Sequence, residues 1–439
     1  MKTYQVVHRD DGCWAVVKEG AMRAASVHDT QEQAIAAAEA LLKTHPGYFL
    51  VVEGREQTVV REPSAGYKPA VGAGKAVSDF NLLFGERLQR ARIMRGYSLR
   101  GLADALEGEY SHTQLQKIEK GLAKTDTRFL ARVSRVLKVR SDYFMRQSGL
   151  SFQSVEYRSL TKVGKKQRER LKEESFEFFE RYLEVESFLN IKNPAFSQVD
   201  LRSMAPEALG KAVEQAAEDT RTRWDLGMNP IPNVHSMLEE HGVKVKLFRN
   251  ALKGFDGLSA FVGTETAKIP VMALSWIEDV PRLRLTALHE LAHLRLVFPE
   301  SLEAREIEKL CHRFAGAFLL PEEPFKRFFG EKRSKVSIPE LVAIKQEWGI
   351  SCSAIMARAH NAGVVTDGFY RYFCIKANQL KWKTEGEPGR NVWKGTEESA
   401  RFTQLVHRAL SQQLISISKA SGLLGCPVEE LMYGELSED

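Results

Sequence analysis

The chain has 439 residues, which is too long for a single domain and predicts roughly two to four of them. Hydrophobic residues make up 43% and charged residues 27%, which excludes a wholly disordered, collagen-like or disulfide-scaffold protein. No apolar run approaches a membrane span, and the charged amino terminus lacks the apolar core of a secretory signal. The 5 cysteines are scattered without a C-x-x-C pair, which favours reduced thiols in a cytoplasmic protein.

The net charge of +6 is concentrated in one segment. Residues 81–147 contain 14 Lys and Arg against 7 Asp and Glu, so the rest of the chain sums to about −1. A local excess of +7 indicates an anionic partner for this segment, although a solvated basic surface would explain the charge alone.

Residues 1–62 predict a small αβ unit, followed by a linker at 63–79 that is rich in Pro, Gly, Ala and Ser. The predicted elements are strands at 4–7, 13–17, 49–52 and 58–61, and a helix at 31–43. The pattern D-G-x-W-x-V, followed by a T-x-x-x-A helix, resembles a small, poorly characterised domain family and implies no chemistry.

Residues 80–147 predict five short helices around a small apolar core. Ser98 can cap the second helix, and Gly121 is placed to end the third. Residues 148–204 predict a connecting segment with a long charged helix at 165–189. Because its apolar positions recur at helical spacing, we expect this helix to pack on a neighbour or on a second copy.

Residues 205–335 predict a mixed domain, and residues 336–439 a mostly helical tail associated with it. The predicted elements are helices up to 224 and at 234–241, strands at 243–247, 258–262 and 270–275, and helices at about 281–297 and 301–319.

The segment from His289 to His293 contains the pattern H-E-x-x-H. On a helix the two histidines lie one turn apart on one face, so both imidazoles can bind one ion. Zinc is the usual ion for two imidazoles and a carboxylate with an open fourth position. Glu290 lies beside them as the candidate general base. A helix with two incidental histidines is the alternative, but the motif follows two strands and begins an apolar helix.

The following helix offers several candidates for a third metal ligand. Glu308 flanks the apolar stripe of this helix, whereas Glu306 lies nearer the opposite face. His312, four residues after Glu308, can orient that carboxylate or bind the metal in its place. By position alone, Glu308 fits a solvated acid as well as it fits a ligand.

The segments 289–293, 308–315 and 319–321 together resemble the ImmA/IrrE metallopeptidases, whose pattern is H-E-L-G-H followed by E-x-x-A-[ND]-x-F-A-x-x-L-[LM]-x-P. The resemblance covers about residues 205–435 and implies a zincin-like fold. It also implies that Zn²⁺ is held by three ligands, with Glu290 as the catalytic base. Those ligands would be His289, His293 and Glu308.

This chain departs from the family pattern at Ala292, Cys311 and His312. Only His312 touches the site, and the departure leaves open which group orients the ligands. A peptide substrate has to be held extended, and an exposed edge among the strands at 258–262 and 270–275 would allow this by strand addition.

The segments 84–88, 98–103, 115–121 and 137–144 resemble the XRE (Cro/CI-like) helix-turn-helix domains. The resemblance implies that the third helix enters the major groove of double-stranded DNA. Its base-facing positions fall on His112, Thr113 and Lys117, with Gln114 and Gln116 nearby; the residues that can meet phosphates are Arg87, Arg95, Lys120 and Lys124. A helical protein-interaction module is the alternative. Because such domains usually bind paired half-sites, we expect a homodimer, formed through the helix at 165–189.

These patterns predict a multidomain, mainly α protein with small α+β parts: an αβ unit, a five-helix DNA-binding domain, a zincin-like domain and a helical tail. The expected function is a transcriptional regulator carrying a zinc metalloendopeptidase. Its target would be a repressor-type protein, often itself a helix-turn-helix protein, or this chain, in stress response or mobile-element control. The alternatives are a factor that senses zinc or a ligand without hydrolysis, which would not need Glu290, and an antitoxin.

Overall fold

The chain is described by a computed structural model and divides into two compact units, Met1–Ala76 and Val77–Asp439. The described residues are 2–8, 13–18, 25–30, 33–35, 37–38, 48–53, 58–61, 79–146, 151–155, 164–249, 254–263 and 268–432. Residues 63–78 of the expected linker and most of the expected helix at 31–43 lie outside them. None of the described helices is both long and apolar enough to cross a membrane.

The first unit is built on a five-stranded sheet with the order β3-β2-β1-β4-β5. Its strands are β1 (Lys2–His8), β2 (Trp14–Lys18), β3 (Ser26–His28), β4 (Tyr48–Glu53) and β5 (Thr58–Arg61). Among the described strands of this unit only β1 and β4 pair in parallel, and a parallel pair requires a crossover between the two strands. Helical residues at 33–35 and 37–38 lie in that crossover, and Ala34 and Ala38, one turn apart, are buried.

The second unit begins with a cluster of five short helices, as the sequence predicted. They are α1 (Asp79–Met94), α2 (Leu99–Ala105), α3 (His112–Glu119), α4 (Thr127–Leu137) and a 3₁₀ helix (Ser141–Met145). Side chains of Ser98, Ser111 and Asp126 cap α2, α3 and α4 by accepting backbone N–H groups. The core of this cluster includes Phe84 and Phe144, whose rings stack 5.2 Å apart.

A four-stranded sheet with the order β6-β9-β10-β8 follows. Its strands are β6 (Ser151–Val155), β8 (Lys244–Phe248), β9 (Gly257–Gly263) and β10 (Lys268–Ser275), and a separate short pair joins β7 (Val199–Asp200) to β11 (Leu296–Val297). The expectation of an exposed edge among the strands at 258–262 and 270–275 is wrong for most of their length. Strand β10 lies between β8 and β9. Strand β6, from the segment expected only to connect domains, pairs antiparallel with residues 260–263 of β9.

The remaining elements are helices, so the fold is mainly α with small α+β parts, as predicted. They are α5 (Lys165–Phe188), α6 (Pro206–Arg223), α7 (Val234–Glu240), α8 (Val280–Arg295), α9 (Ala304–Leu319), α10 (Glu322–Phe329), α11 (Ile338–Trp348), α12 (Cys352–Asn361), α13 (Asp367–Gln379), α14 (Trp382–Glu385), α15 (Arg401–Ser411), α16 (Ile417–Leu424) and α17 (Val428–Met432). The largest hydrophobic core extends from Leu201 to Trp382, across residue 335, where the sequence suggested a boundary.

The long helix α5 connects the parts of the second unit. Its Glu180 forms a buried ion pair with Arg87 of α1, and its Glu186 forms another with Lys244 of β8 at 2.6 Å. Tyr182 of α5 packs in one core cluster with apolar residues of α15 and α16. The apolar positions that suggested a dimer interface are therefore covered, at least in part, within the chain itself.

Candidate functional site

Helix α8 presents the histidines of the H-E-x-x-H motif on one face. Pro281 lies in its first turn, where a missing N–H costs nothing, and apolar residues such as Leu288 and Leu291 anchor the helix in the core. The spacing of four residues then brings the rings of His289 and His293 together. Their Nε2 atoms are 3.2 Å apart, and their ring planes are inclined by 78°.

Helix α9 brings the carboxylate of Glu308 to the same point. Its Oε2 lies 3.1 Å from Nε2 of His289, and its Oε1 lies 3.5 Å from Nε2 of His293. The three potential ligand atoms all lie within 4.8 Å of one another. Four tetrahedral bonds of about 2.1 Å would separate ligand atoms by about 3.4 Å, so this donor set fits a zinc ion in both chemistry and spacing.

Glu290, beside the first histidine of the motif, lies against strand β9. Its Oε2 accepts a hydrogen bond of 2.7 Å from the Ser259 hydroxyl, and both residues are buried. A Cβ atom at Gly257 would come within 3.0 Å of Glu290 Oε1, so the small residues of β9 make room for the carboxylate. Ser259 was missed by the sequence analysis, because one serine in an apolar strand is an ordinary occurrence.

Cys311, which the family pattern would make an alanine, lies against the candidate ligands, so the expectation that only His312 touches the site is wrong. Its Sγ is 3.7 Å from Nδ1 of His293, and the thiol is fully buried. Burial raises the pKa of the Cys311 thiol. Burial also lowers the pKa of His293, but its hydrogen bonds with Cys311 and Glu308 outweigh this effect and raise that pKa above its usual value.

The carboxylate of Glu308 is stabilised as an anion, since its hydrogen bonds with His289 and His293 hold its pKa well below the usual range. The ring of His312 lies 4.2 Å from the ring of His289, centre to centre. Among the described contacts His312 has no hydrogen bond to Glu308, and it stands outside the group of three potential ligand atoms.

A groove of about 400 Å³ opens beside His293. Its lining includes Ser259 and Phe261 of β9 and, from the segment between α8 and α9, Phe298 and Leu302. The side chain of Glu308 is 41% exposed, so the candidate metal centre is reached from solvent. The groove can therefore bring an apolar side chain next to His293.

Helix α3 exposes a polar face at the surface of the five-helix domain. Leu115 and Ile118 are buried in that domain, whereas the predicted DNA-facing residues, His112, Thr113, Gln114, Gln116, Lys117 and the C-cap Lys120, are exposed. Gln114 also accepts a hydrogen bond from the Ser111 backbone and completes a capping box. These exposed side chains lie on the solvent-facing side of α3, and a single helix with such a side fits into the major groove of DNA.

Two of the expected phosphate contacts have other partners. Arg87 is only 3% exposed, and its guanidinium binds Glu180 through two hydrogen bonds, at 2.5 and 3.1 Å. Arg95 donates to the backbone carbonyls of Leu137 and Lys138. The expectation that Arg87 meets DNA is wrong, because this arginine lies inside the packing of α1 against α5.

Comparison with protein families assigns three segments of the chain. Residues 88–144 match a family described as helix-turn-helix, and residues 238–360 match one described as an IrrE N-terminal-like domain of the M78 peptidases. Residues 4–64 match a family described only as an uncharacterized protein conserved in bacteria. No curated protein matches the chain significantly. The chain thus joins a helix-turn-helix domain of the DNA-binding XRE type to a metallopeptidase-family domain.

Proposed function

We propose that this protein is a DNA-binding regulator whose IrrE-like domain is a zinc-dependent endopeptidase. The observation that carries the proposal is the convergence of three ligand-type atoms within 4.8 Å on helices α8 and α9, with a buried glutamate next to them. His289, His293 and Glu308 would hold the ion. When bound, zinc supplies a Lewis acid that polarises a carbonyl group and makes water more acidic.

Glu290 is the group that would move the proton during hydrolysis. Its carboxylate takes a proton from the attacking water, whose oxygen forms a bond to the carbonyl carbon of the substrate. The same proton is then passed to the amide nitrogen as the C–N bond breaks, which yields a carboxylic acid and an amine. The Ser259 hydroxyl, 2.7 Å from Oε2, fixes the orientation of the carboxylate.

The groove beside His293 favours a substrate with an apolar side chain near the cleaved bond, because Phe261, Phe298 and Leu302 contribute to its wall. While β6 is paired with residues 260–263 of β9, the substrate backbone cannot add to that part of the strand. The substrate would instead lie along the groove as an extended segment. A loop or connecting segment of a repressor-type protein, this chain included, meets that requirement.

The helix-turn-helix domain would place the peptidase at a DNA site. His112, Thr113, Gln114, Gln116 and Lys117 on the exposed face of α3 are the proposed base-contacting residues, and Lys120 follows at the end of that helix. A DNA-bound homodimer, the arrangement expected for paired half-sites, would hold two such domains on one operator. Either copy, or a second repressor bound beside it, would then be a nearby substrate.

The test separates metal binding from hydrolysis. Purified wild-type chain should hold one zinc per chain by elemental analysis, and Glu308→Gln should lower this content while the matched variant Glu306→Gln, exposed on the same helix, keeps it. Glu290→Gln should retain zinc but lose all cleavage of the chain itself and of co-incubated helix-turn-helix proteins. Wild-type protein without zinc, or equal cleavage by Glu290→Gln, would overturn the proposal. Zinc without cleavage of any partner would favour the sensor alternative.

A further inference from the structure

A second cavity, unrelated to the metal centre, lies where four parts of the chain meet. It has a volume of about 840 Å³, which is within the range of sites for cofactor-sized molecules. Its walls come from the helix-turn-helix domain, from helix α5, from strand β8 and from helix α16. None of the candidate zinc ligands lines it, so its occupant does not depend on the peptidase function.

The walls of this cavity are strongly basic. Eight of the lining side chains are Lys or Arg and two are Glu. Each glutamate is already shared: Glu174 lies 2.8 Å from Arg170, and Glu177 lies within 4 Å of both Arg146 and Arg181. Asp142, which pairs with Arg140 and Arg146, and Glu398, which pairs with Arg249, lie outside the lining. Because the cations still outnumber these four acids by eight to four, the cavity keeps a positive charge, and a concave site of one sign concentrates ions of the other.

Several of these cations have unused binding capacity. Within the described part of the chain, Lys246 has no hydrogen bond or ion pair, and its ammonium lies 4.6 Å from the ring centre of Phe178. The Nε atoms of Arg146 and Arg181 are buried and have no hydrogen-bond partner there. Burial lowers the pKa of Lys246 and of Arg181, with the neighbouring cation adding to the effect at Lys246. An anion bound in the cavity would supply the Lys246 ammonium with an acceptor.

Helix α16 closes one side of the cavity and makes it concave. Arg140, from the helix-turn-helix domain, donates to Ser418 Oγ at 2.8 Å, and Arg181, from α5, donates to the Leu423 carbonyl at 2.7 Å. A pocket enclosed by several elements suits a compact molecule better than a continuous duplex. The cavity is larger than one phosphate ion requires, and its cations lie on several walls, so a single phosphate ion could not contact all of them.

We propose that this cavity binds a small polyanion with two or more phosphate groups, of the size of a nucleoside di- or triphosphate. Such a ligand would contact Lys246 on β8, Arg140 and Arg146 at the end of the DNA-binding domain, and Arg181 on α5. It would bridge the DNA-binding domain to the rest of the second unit.

The full-length protein is titrated with inorganic phosphate, pyrophosphate and ATP by calorimetry at one fixed ionic strength. Pyrophosphate and ATP should each bind once per chain and at least tenfold more tightly than phosphate. Lys246→Gln should weaken pyrophosphate binding about tenfold, as expected for the loss of one charge-assisted contact. Arg371→Gln, which removes an exposed cation far from the cavity lining, should bind like the wild type.

Because Lys246 is half-buried, Arg140→Gln serves as a second variant at a more exposed position, and the melting temperature of each variant is measured without ligand. The proposal is overturned if pyrophosphate and ATP do not bind, or if both variants bind them as tightly as Arg371→Gln does. It is also overturned if the only loss in Lys246→Gln and Arg140→Gln is affinity for duplex DNA of arbitrary sequence, since the cavity would then belong to the DNA-binding surface.

Discussion

Replacing Arg87 with methionine should weaken the attachment of the helix-turn-helix domain to α5. The guanidinium of Arg87 is 3% exposed and binds the 9%-exposed carboxylate of Glu180 through two hydrogen bonds, and its Nε donates to the Arg146 carbonyl at 3.1 Å. Methionine has a similar length but offers no donor. The substitution therefore leaves the buried carboxylate of Glu180 without its main partner. Arg90, 3.9 Å from this carboxylate, replaces Arg87 only in part.

Breaking a buried ion pair from one side costs about 3–5 kcal/mol, because the remaining charge stays buried. Since Arg90 still lies near Glu180, we expect the lower end of this range, about 3 kcal/mol, for Arg87→Met. The double variant Arg87→Met/Glu180→Leu removes both charges and should differ from the wild type by only about 1 kcal/mol. The two sites should thus be coupled by at least about 2 kcal/mol in a double-mutant cycle.

Hydrogen exchange measures this effect locally, which matters because a chain of several domains need not unfold in one step. The protected amides of α1 and α5 report the free energy of opening of the contact in each variant. Arg135→Met, at an exposed position on α4, is the matched control and should change it by less than about 0.5 kcal/mol. The ion pair does not hold the two parts together if Arg87→Met and Glu180→Leu each change the free energy of opening as little as this control does. The same conclusion follows if their effects on that free energy simply add in the double variant.

Three other predictions follow from single sites. Ser259→Ala should retain zinc but lower kcat about tenfold, because it removes a hydrogen bond to a charged group. An unchanged kcat would exclude a role of Ser259 in orienting the Glu290 carboxylate. A chelator should lower the melting temperature of the wild type by about 5 °C and leave His289→Ala unaffected, whereas equal responses would contradict metal binding at this site. Burial lowers the pKa of His235 to about 4, so the unfolded state binds its proton first as the pH falls. Stability should therefore decline below about pH 6.5 by about 1.4 kcal/mol for each pH unit, down to about pH 4; in urea titrations His235→Asn should lack this contribution.

The local features of this protein could be predicted from its sequence. Helix caps such as Ser98 and Asp126 act on the backbone within three residues, so the limits of the five short helices follow from neighbouring residues. The face shared by His289 and His293 likewise follows from the helical repeat. Placing Glu308 beside them required the family resemblance, because helical spacing shows which side of α9 it occupies but not what that side meets.

Contacts between distant segments could not be predicted in this way. The pairing of β6 with β9 joins residues separated by more than a hundred positions, and five residues between helices carry no sign of their partner strand. The same holds for Ser259 beside Glu290 and for Arg87 beside Glu180. In each case the packing of helices and strands determines which residues meet. A basic residue looks the same in the sequence whether it contacts DNA, a ligand or a buried acid.

The charge of the DNA-binding segment illustrates this limit and yields a further prediction. Eight of its 14 basic residues are bonded to acids or carbonyls. Along α2, α3 and the turn that follows, the exposed cations without an ion pair to any described residue are Arg100, Lys117, Lys120 and Lys124. On a non-specific duplex Lys117 has no specific base to recognise and would meet phosphate like the other three. Four such contacts predict that the logarithm of the affinity falls with slope about −3.6 against the logarithm of salt concentration, per bound chain, whereas 14 contacts would give about −13. Fluorescence anisotropy between about 50 and 200 mM salt measures this slope. Lys117→Gln should reduce its magnitude by about 0.9, and Arg371→Gln should leave it unchanged. A slope near −13 per chain would show that the paired arginines leave their partners to bind DNA, which would contradict the packing of this domain against α5.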